Sequence, residues 1–218
     1  ATHYHKLKPT TMPSDAIRKI RVLLTSREQY VKFRTALKNT LKALEITSKT
    51  LSLKKELSTR KREIRVLDLR IQSLEKEIVD LIKSDKQLNK NYRKATQVTG
   101  IGTIAATKLL VTTNNFSLFD NPRKFSCYCG LAPFEHTSGS SVKGRTKTSK
   151  LRNKDMKGIM FKAATSAIQH DKQLRTYYNR KLNEGKHKLS VLNAVANKLV
   201  LRVFAVVNRE EPYINLSV

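Results

Sequence analysis

Apolar residues recur in alternating steps of three and four between residues 53 and 92, a spacing typical of a coiled coil or a long helical hairpin. Arg60 and Asp85 are polar members of this frame. No glycine or proline occurs from Ser14 to Thr99, so nothing in that stretch forces a turn. The apolar positions of the frame are Leu53, Leu57, Ile64, Leu67, Ile71, Leu74, Ile78, Leu81, Leu88 and Tyr92.

An earlier amphipathic helix is predicted ahead of this seam, and the Thr- and Ser-containing segment Glu45–Ser52 is the best place for the chain to reverse. We therefore expect two antiparallel helices, which pair within the chain or with another copy. The predicted boundaries are 1–13 for a lead-in from a preceding domain, 14–97 for the helical hairpin or coiled coil, and 98–218 for a compact domain. The apolar positions of the earlier helix are Ile20, Leu24, Val31, Leu37, Leu41 and Leu44.

After Thr99 the chain gains glycines and short apolar runs, which indicate a compact helical domain. Helices are predicted at Ile104–Val111, Lys157–Gln169 and Leu189–Val207. The run Phe125–Leu131 is the one segment with a strand-like pattern, and Ser138–Ser149 reads as a polar loop. The predicted fold class is mainly α, a long helical hairpin or coiled coil followed by a compact helical domain.

The charge of the chain points to a polyanionic partner. The sequence has 44 Lys and Arg against 17 Asp and Glu, a net charge of +27. Nucleic acid is the first candidate, since neutralised phosphates release counterions, and an anionic membrane surface is the competing one. A spanning helix is not expected, because the longest apolar stretch, Leu199–Val207, is broken by Arg202. Cys127 and Cys129 are too few for a four-ligand zinc site and fit a reducing compartment.

The segment Val98–Ala106 contains two glycines between an ending and a beginning helix. It is similar to the turn of helix-hairpin-helix DNA-binding domains, in which glycines let the backbone approach a phosphate and helix N-terminal amides point at it. Gly100 and Gly102 are therefore candidate DNA contacts. An ordinary turn between two helices is the alternative.

A second motif combines Ser138-Gly139 with a strongly basic stretch. Eight Lys or Arg fall between Lys143 and Lys162, against one acid, Asp155. Such a stretch suits a phosphodiester, and a serine beside glycine among cations is a candidate nucleophile. The residues alone favour a solvated loop with a generic basic patch. The candidate DNA contacts are Lys143, Arg145, Lys147, Lys150, Arg152, Lys154 and Lys157.

Taken in order, the motifs from about Val98 to Tyr213 resemble the IS110-type family of insertion-sequence transposases, the bridge-RNA-guided recombinases. The matched segments are Thr99–Gly102, Phe119–Lys124, Gly130–Pro133, Ser138-Gly139 and Ser149-Lys150. Family members usually carry Gly-Asn after the last of these and an Arg further along. Here Arg152-Asn153 and Lys157 stand in those places.

The resemblance implies that Ser138 forms a covalent bond to a DNA phosphate during strand exchange. It also implies a RuvC-like N-terminal half whose Asp and Glu bind Mg²⁺, a guide RNA as a further partner, and action on DNA in a prokaryotic cytoplasm at the nucleoid. No equivalent carboxylate cluster is found in this sequence, so no cofactor is expected in the chain itself, and half of the active site is expected to be absent from it.

Three functional hypotheses follow. The first is a DNA transposase or site-specific recombinase, working through a phosphoserine intermediate and assembled as a homo-oligomer through the coiled coil. The second is a truncated, non-catalytic DNA- or RNA-binding remnant of such an enzyme. The third is a basic structural protein that assembles on RNA. The charge supports all three equally, whereas Ser138 in its motif supports the first two.

Overall fold

The structure is a computed structural model that describes residues 12–138 and 142–209, with the backbone alone for residues 134–138 and 142–147. It contains eight helices and one two-stranded antiparallel sheet over this part of the chain. The predicted mainly α class is confirmed. The chain divides into two compact units, Ala1–Asp85 and Lys86–Val218.

The first unit is built on two long antiparallel helices, α1 (Asp15–Thr47) and α2 (Lys54–Ser84). Two ion pairs join them in this arrangement, Arg27 to Glu75 and Arg34 to Asp68, each 2.7 Å long. The chain reverses between Thr47 and Lys54. The buried apolar residues of the two helices are Ile17, Ile20, Leu24, Ile64, Ile71, Leu74, Ile78 and Ile82.

The helical frame of α2 is interrupted earlier than the heptad pattern suggests. Asp85, a polar member of that pattern, has extended backbone dihedral angles and ends α2. The next helix, α3 (Lys86–Thr96), belongs to the second unit, where Ala95 is fully buried and Tyr92 packs against the core. The boundary between the units therefore lies at residue 85, whereas the sequence placed it at 97.

The second unit arranges its elements around a long C-terminal helix. In chain order they are α3, α4 (Thr103–Thr112), α5 (Pro122–Tyr128), β1 (Phe134–Ser138), β2 (Val142–Lys147), α6 (Lys154–His170), α7 (Lys172–Asn183) and α8 (Lys188–Asn208). Helix α8 contacts α3, α5, α6 and α7. Its buried residues, among them Leu199, Val203 and Phe204, form the centre of the core.

By length and composition alone, helix α8 is long and apolar enough to cross a membrane. The sequence prediction considered only uninterrupted apolar stretches and therefore did not expect such a helix. Nine of its residues are buried within the protein, as in the core helix of a packed domain. Arg202, which breaks its apolar run, donates from Nη1 to Oδ2 of the fully buried Asp171 at 2.7 Å. The charge is therefore paired inside the domain.

Two local predictions are wrong. The run Phe125–Leu131 is not a strand, because Asn121 caps a helix by accepting from the Arg123 amide at 2.8 Å and Pro122 occupies its first turn. The segment Ser138–Ser149 is not all loop, because β2 lies within it. The polar, Gly-containing sequence of β1 and β2 lacks the apolar alternation from which a strand is recognised.

Candidate active site and nucleic-acid interface

Gly100 lies in the turn between α3 and α4 and is required there by packing. Its φ is +94°, and a Cβ at this position would lie 2.6 Å from the Ala163 carbonyl oxygen and 2.7 Å from the Ala167 Cβ. Only glycine combines this dihedral angle with such a close approach to α6. This packing accounts for Gly100 by itself, and its contact with DNA stays a prediction.

Gly102 differs from Gly100, because it is exposed and a Cβ there would meet nothing within 4 Å. It is the N-cap of α4 and has no side chain to accept from the first amides of the helix. The first turn contains no acidic residue, and Thr103 is also exposed. The residues that begin α4 are therefore exposed, and the first amides of a helix, which have no intrahelical partner, suit an oxyanion.

Ser138 is the last residue of β1, beside the turn of a β-hairpin. In the antiparallel register Ser138 lies opposite Val142, and Thr137 lies opposite Lys143. An irregularity separates Phe134 from His136. The structure places the backbone of Ser138 at the far end of the hairpin. The side chains of Ser138, Lys143, Arg145 and Lys147 lie outside the described part, so their roles stay predictions.

The segment Gly130–Pro133, which we call the foot of the hairpin, is held by side chains from two helices. Lys157 of α6 donates from Nζ to the Gly130 carbonyl at 2.9 Å. Asn193 of α8 donates from Nδ2 to the Leu131 carbonyl at 2.7 Å. Gly130 has a φ of +66°, and a Cβ there would lie 2.3 Å from Cδ of Arg152. The foot is therefore fixed in position, and the aliphatic part of Arg152 covers it.

The chain that leaves the hairpin is fixed as well. The Asn153 amide donates to the Tyr128 carbonyl, and Asn153 Nδ2 donates to the Tyr128 hydroxyl, both at 2.8 Å. Oδ1 of the same Asn153 caps α6 by accepting from the Met156 amide at 2.9 Å. Arg152 donates from Nη1 to the Ser149 carbonyl at 3.1 Å. The foot is thus attached to α6 and α8, and the chain that leaves the hairpin is attached to α5.

Positive charge concentrates where the hairpin joins the domain. Lys150 and Lys154 are exposed, whereas Arg152 and Lys157 are half-buried. The pKa of Lys157 is lowered, first by burial and then by the nearby positive charge of Arg152. Among the ion pairs of the described side chains, none joins a carboxylate to Arg152 or Lys157. Two neighbouring cations attract an anion, and a phosphodiester is one that would suit this place.

No group of three or more His, Cys, Asp or Glu that could hold a metal ion occurs within 12–138 and 142–209. Burial raises the pKa of the Cys129 thiol to about 12, so this cysteine is a core residue and not a reactive one.

Two residues that hold the hairpin were not predicted from the sequence, namely Tyr128, which contacts Asn153, and Asn193, which contacts Leu131. The sequence did offer one indication for Asn193. It lies beside the apolar face of a predicted helix, where a partly buried amide needs a hydrogen-bond partner.

Comparison with known proteins identifies a matching family model and several relatives. Residues 92–179 match the transposase family described as IS116/IS110/IS902. An insertion element IS110 uncharacterized 43.6 kDa protein of Streptomyces coelicolor is 32% identical over 110 residues, which cover 50% of this chain and 27% of the relative. A pilin gene-inverting protein of Moraxella bovis is 25% identical over 138 residues, covering 63% of this chain and 43% of the relative.

A third relative is the transposase for insertion sequence element IS1111A of Coxiella burnetii. It is 22% identical over 135 residues, which cover 61% of this chain and 37% of the relative. The chain thus spans less than half the length of each of these three curated relatives.

Proposed function

We propose that the chain belongs to the IS116/IS110/IS902 transposase family, whose model matches residues 92–179, and that it acts in DNA transposition or site-specific recombination with Ser138 as the nucleophile. The supporting observation is the hairpin. Its last β1 residue is Ser138, and both of its ends are attached beside the cations Arg152 and Lys157. A nucleophile for a phosphodiester needs a fixed position, and the attachment of both ends of the hairpin supports one.

In the proposed step, Oγ of Ser138 attacks the phosphorus of a DNA phosphodiester. The bond between phosphorus and one bridging oxygen breaks, the serine proton goes to a base, and the departing DNA oxygen takes up a proton. The serine is then esterified to the phosphate, so bond energy is conserved for rejoining. Attack by the hydroxyl of another DNA end releases the serine and completes the exchange.

The described residues do not fit the Mg²⁺ that the family resemblance implies, because no acidic cluster exists among them. We propose that the metal is held by acidic residues of a RuvC-like domain outside the described part. On this proposal the chain alone binds DNA but forms no adduct, and adduct formation requires that domain and Mg²⁺. The cytoplasm of a prokaryotic cell, at the nucleoid, is the proposed place of action, with a guide RNA as a further partner.

We propose homo-oligomers assembled through α1 and α2. The seam residues of α2, such as Ile71 and Ile78, are buried within the chain and are not available to a second copy. Other apolar side chains of the same helices are exposed, namely Val22, Phe33, Val66 and Leu69. Covering them against a second pair of helices would remove apolar surface from water, which favours association.

The test of the function is a trapped covalent adduct. The chain, joined to its RuvC-like domain and supplied with Mg²⁺, guide RNA and labelled DNA, is expected to give a protein–DNA band that survives denaturing electrophoresis. Ser138→Ala should abolish the band while the DNA Kd changes by less than about threefold, because one hydroxyl contributes little to a charge-driven interface. An undiminished band in Ser138→Ala would refute the assignment.

The absence of a metal-binding group from the described residues also favours a second candidate, a non-catalytic DNA- or RNA-binding remnant. The same experiment separates the two. A remnant binds DNA with the expected salt dependence yet gives no adduct in any combination with the metal-binding domain.

A further inference from the structure

We infer that Lys157 and Asn193 are positioning residues that hold the foot of the hairpin and thereby set the location of Ser138. The inference rests on the proposed nucleophilic role of Ser138. It assigns Lys157 a different role from the other lysines of the basic stretch, because Lys157 donates into the protein backbone.

The two contacts act on adjacent peptide groups. Lys157 bonds the carbonyl of Gly130 and Asn193 bonds the carbonyl of Leu131, and the donors come from two different helices, α6 and α8. These helices pack against each other in the core. The stem of Arg152 packs so closely against Gly130 that a Cβ at this position would lie within 3.0 Å of three of its carbons. The foot is thus held from two directions.

A small movement at the foot is enlarged at Ser138. Ser138 lies four residue steps beyond Phe134, so β1 spans about 13 Å at about 3.3 Å per residue. A tilt of about 10° at the start of β1 would displace the Ser138 backbone by about 2 Å. A misplacement of about 1 Å can cost a reaction about a hundredfold in rate. The attachment of the foot therefore bears directly on the rate of the proposed attack.

The environment of Lys157 fits this role better than a phosphate contact. Its ammonium group is half-buried, hydrogen-bonded to a carbonyl and 5.5 Å from the centre of the Phe161 ring. Lys154, in the first turn of the same helix, is exposed and free to follow a phosphate. A lysine held by a carbonyl and a ring has little freedom to do so.

Asn193 supplies a contact that an apolar residue of similar size could not make. Its Nδ2 donates to the Leu131 carbonyl at 2.7 Å, across 62 residues of sequence. The next amide of α8, Asn197, has no such bond to the foot among the described contacts and therefore offers a matched control.

The test uses four variants of the complete protein, with the metal-binding domain, Mg²⁺ and DNA. Lys157→Met keeps the stem of the side chain and removes the donor, and Asn193→Leu keeps the volume. Lys162→Met removes an exposed charge from the same helix, and Asn197→Leu removes the next amide of α8, whose Oδ1 is also buried without a partner. Adduct formation is timed in single turnover at saturating DNA, and the DNA Kd is measured separately.

Lys157→Met and Asn193→Leu are each expected to slow adduct formation at least about tenfold with the DNA Kd within about threefold of wild type. The two controls should keep the wild-type rate. Hydrogen exchange of residues 134–138 should accelerate in the first pair alone, a readout that requires no catalysis. Cooperative thermal unfolding of each variant shows that it is folded.

Three results would overturn the inference. Wild-type rates in both foot variants would show that the foot contacts do not position Ser138. A weaker DNA Kd with an unchanged rate in Lys157→Met would make Lys157 a phosphate contact. A wild-type protein that forms no adduct on Ser138 removes the proposed function itself, and the inference falls with it.

Discussion

Lys154 and Lys157 are three residues apart in α6, and the sequence presents them as equivalent members of one basic stretch. The structure separates them, since one is exposed and the other is half-buried and bonded to Gly130. Gly100 and Gly102 divide in the same way, one packed against α6 and the other open. Residue type therefore predicted which residues are candidates, and the structure shows that candidates of the same type differ in burial.

Cys127 and Cys129 offer a direct check on burial at this scale. Cys129 is fully buried and its pKa is raised to about 12, so its thiolate is scarce at any pH near neutral, whereas Cys127 is partly exposed. Iodoacetamide at about pH 8 should add one alkyl group to the native protein, on Cys127. In urea both cysteines should react, and intact-mass measurement with peptide mapping counts them. Equal labelling of both in the native protein would contradict the packing of α5.

The sequence predicted the turn that contains Gly100 and Gly102, because two glycines between an ending and a beginning helix are a local pattern. It could not predict that Asn193 bonds to Leu131, since the two are 62 residues apart and no periodicity connects them. It also could not distinguish the paired Arg202 from a solvated arginine, because the partner, Asp171, comes from another helix.

At the scale of elements, helices with strong apolar periodicity were predicted, and elements defined by capping or backbone pairing were missed. Helices α4, α6 and α8 lie where the sequence placed helices, with boundaries a few residues wider. Helix α5 depends on its Asn121 cap, and β1 and β2 depend on pairing between polar segments. Neither feature leaves a hydrophobic pattern, which explains both errors.

The open N-terminus of α4 predicts the effect of Gly102→Ser. A serine N-cap would accept from the first amides of the helix and occupy the donors proposed for phosphate. We expect stability to stay within about 0.5 kcal/mol of wild type or to rise, because the site has room and its backbone is already extended. DNA affinity should fall for all sequences alike, since backbone amides read no bases.

The measurements for Gly102→Ser are urea unfolding and DNA titration on two unrelated sequences. A loss confined to one of the sequences would contradict the proposed role of the turn. Gly100→Ala is the matched control, and it should be destabilised by about 1–3 kcal/mol because of its positive φ and its contact with α6.

Substitutions at exposed apolar residues of the long helices can test assembly without unfolding these helices. Aspartate at Val66 and Leu69, which are 59% and 60% exposed, should lower the oligomeric mass and leave the helical circular dichroism unchanged. Aspartate at the buried Ile71 or Ile78 should instead unfold the hairpin. Light scattering reports the mass. A wild type that is already monomeric, or an oligomer that resists the exposed substitutions, would refute assembly through this surface.

At the scale of the whole molecule, both units carry a net positive charge, +10 for residues 1–85 and +17 for residues 86–218. Residues 86–218 carry 24 Lys and Arg against 7 Asp and Glu, and residues 1–85 carry 20 against 10. An excess of this size repels itself in the absence of a polyanion. Phosphate contacts are therefore expected to dominate the affinity for nucleic acid.

The resulting prediction concerns salt. With about six phosphates contacted, the logarithm of the DNA binding constant should fall against the logarithm of salt concentration with a slope of about −5. Fluorescence anisotropy between about 50 and 300 mM salt measures the slope. A flat response would exclude phosphate-dominated binding, and equal competition by anionic lipid vesicles would favour the membrane alternative.

Mass spectrometry of the trapped adduct, after proteolysis and nuclease digestion, tests whether Ser138 becomes covalently linked to DNA. We expect one modified peptide, which carries a nucleotide phosphate on Ser138 and is missing from Ser138→Ala. A modification mapped to Ser140, Ser141 or Tyr128, or an adduct that persists in Ser138→Ala, would contradict it.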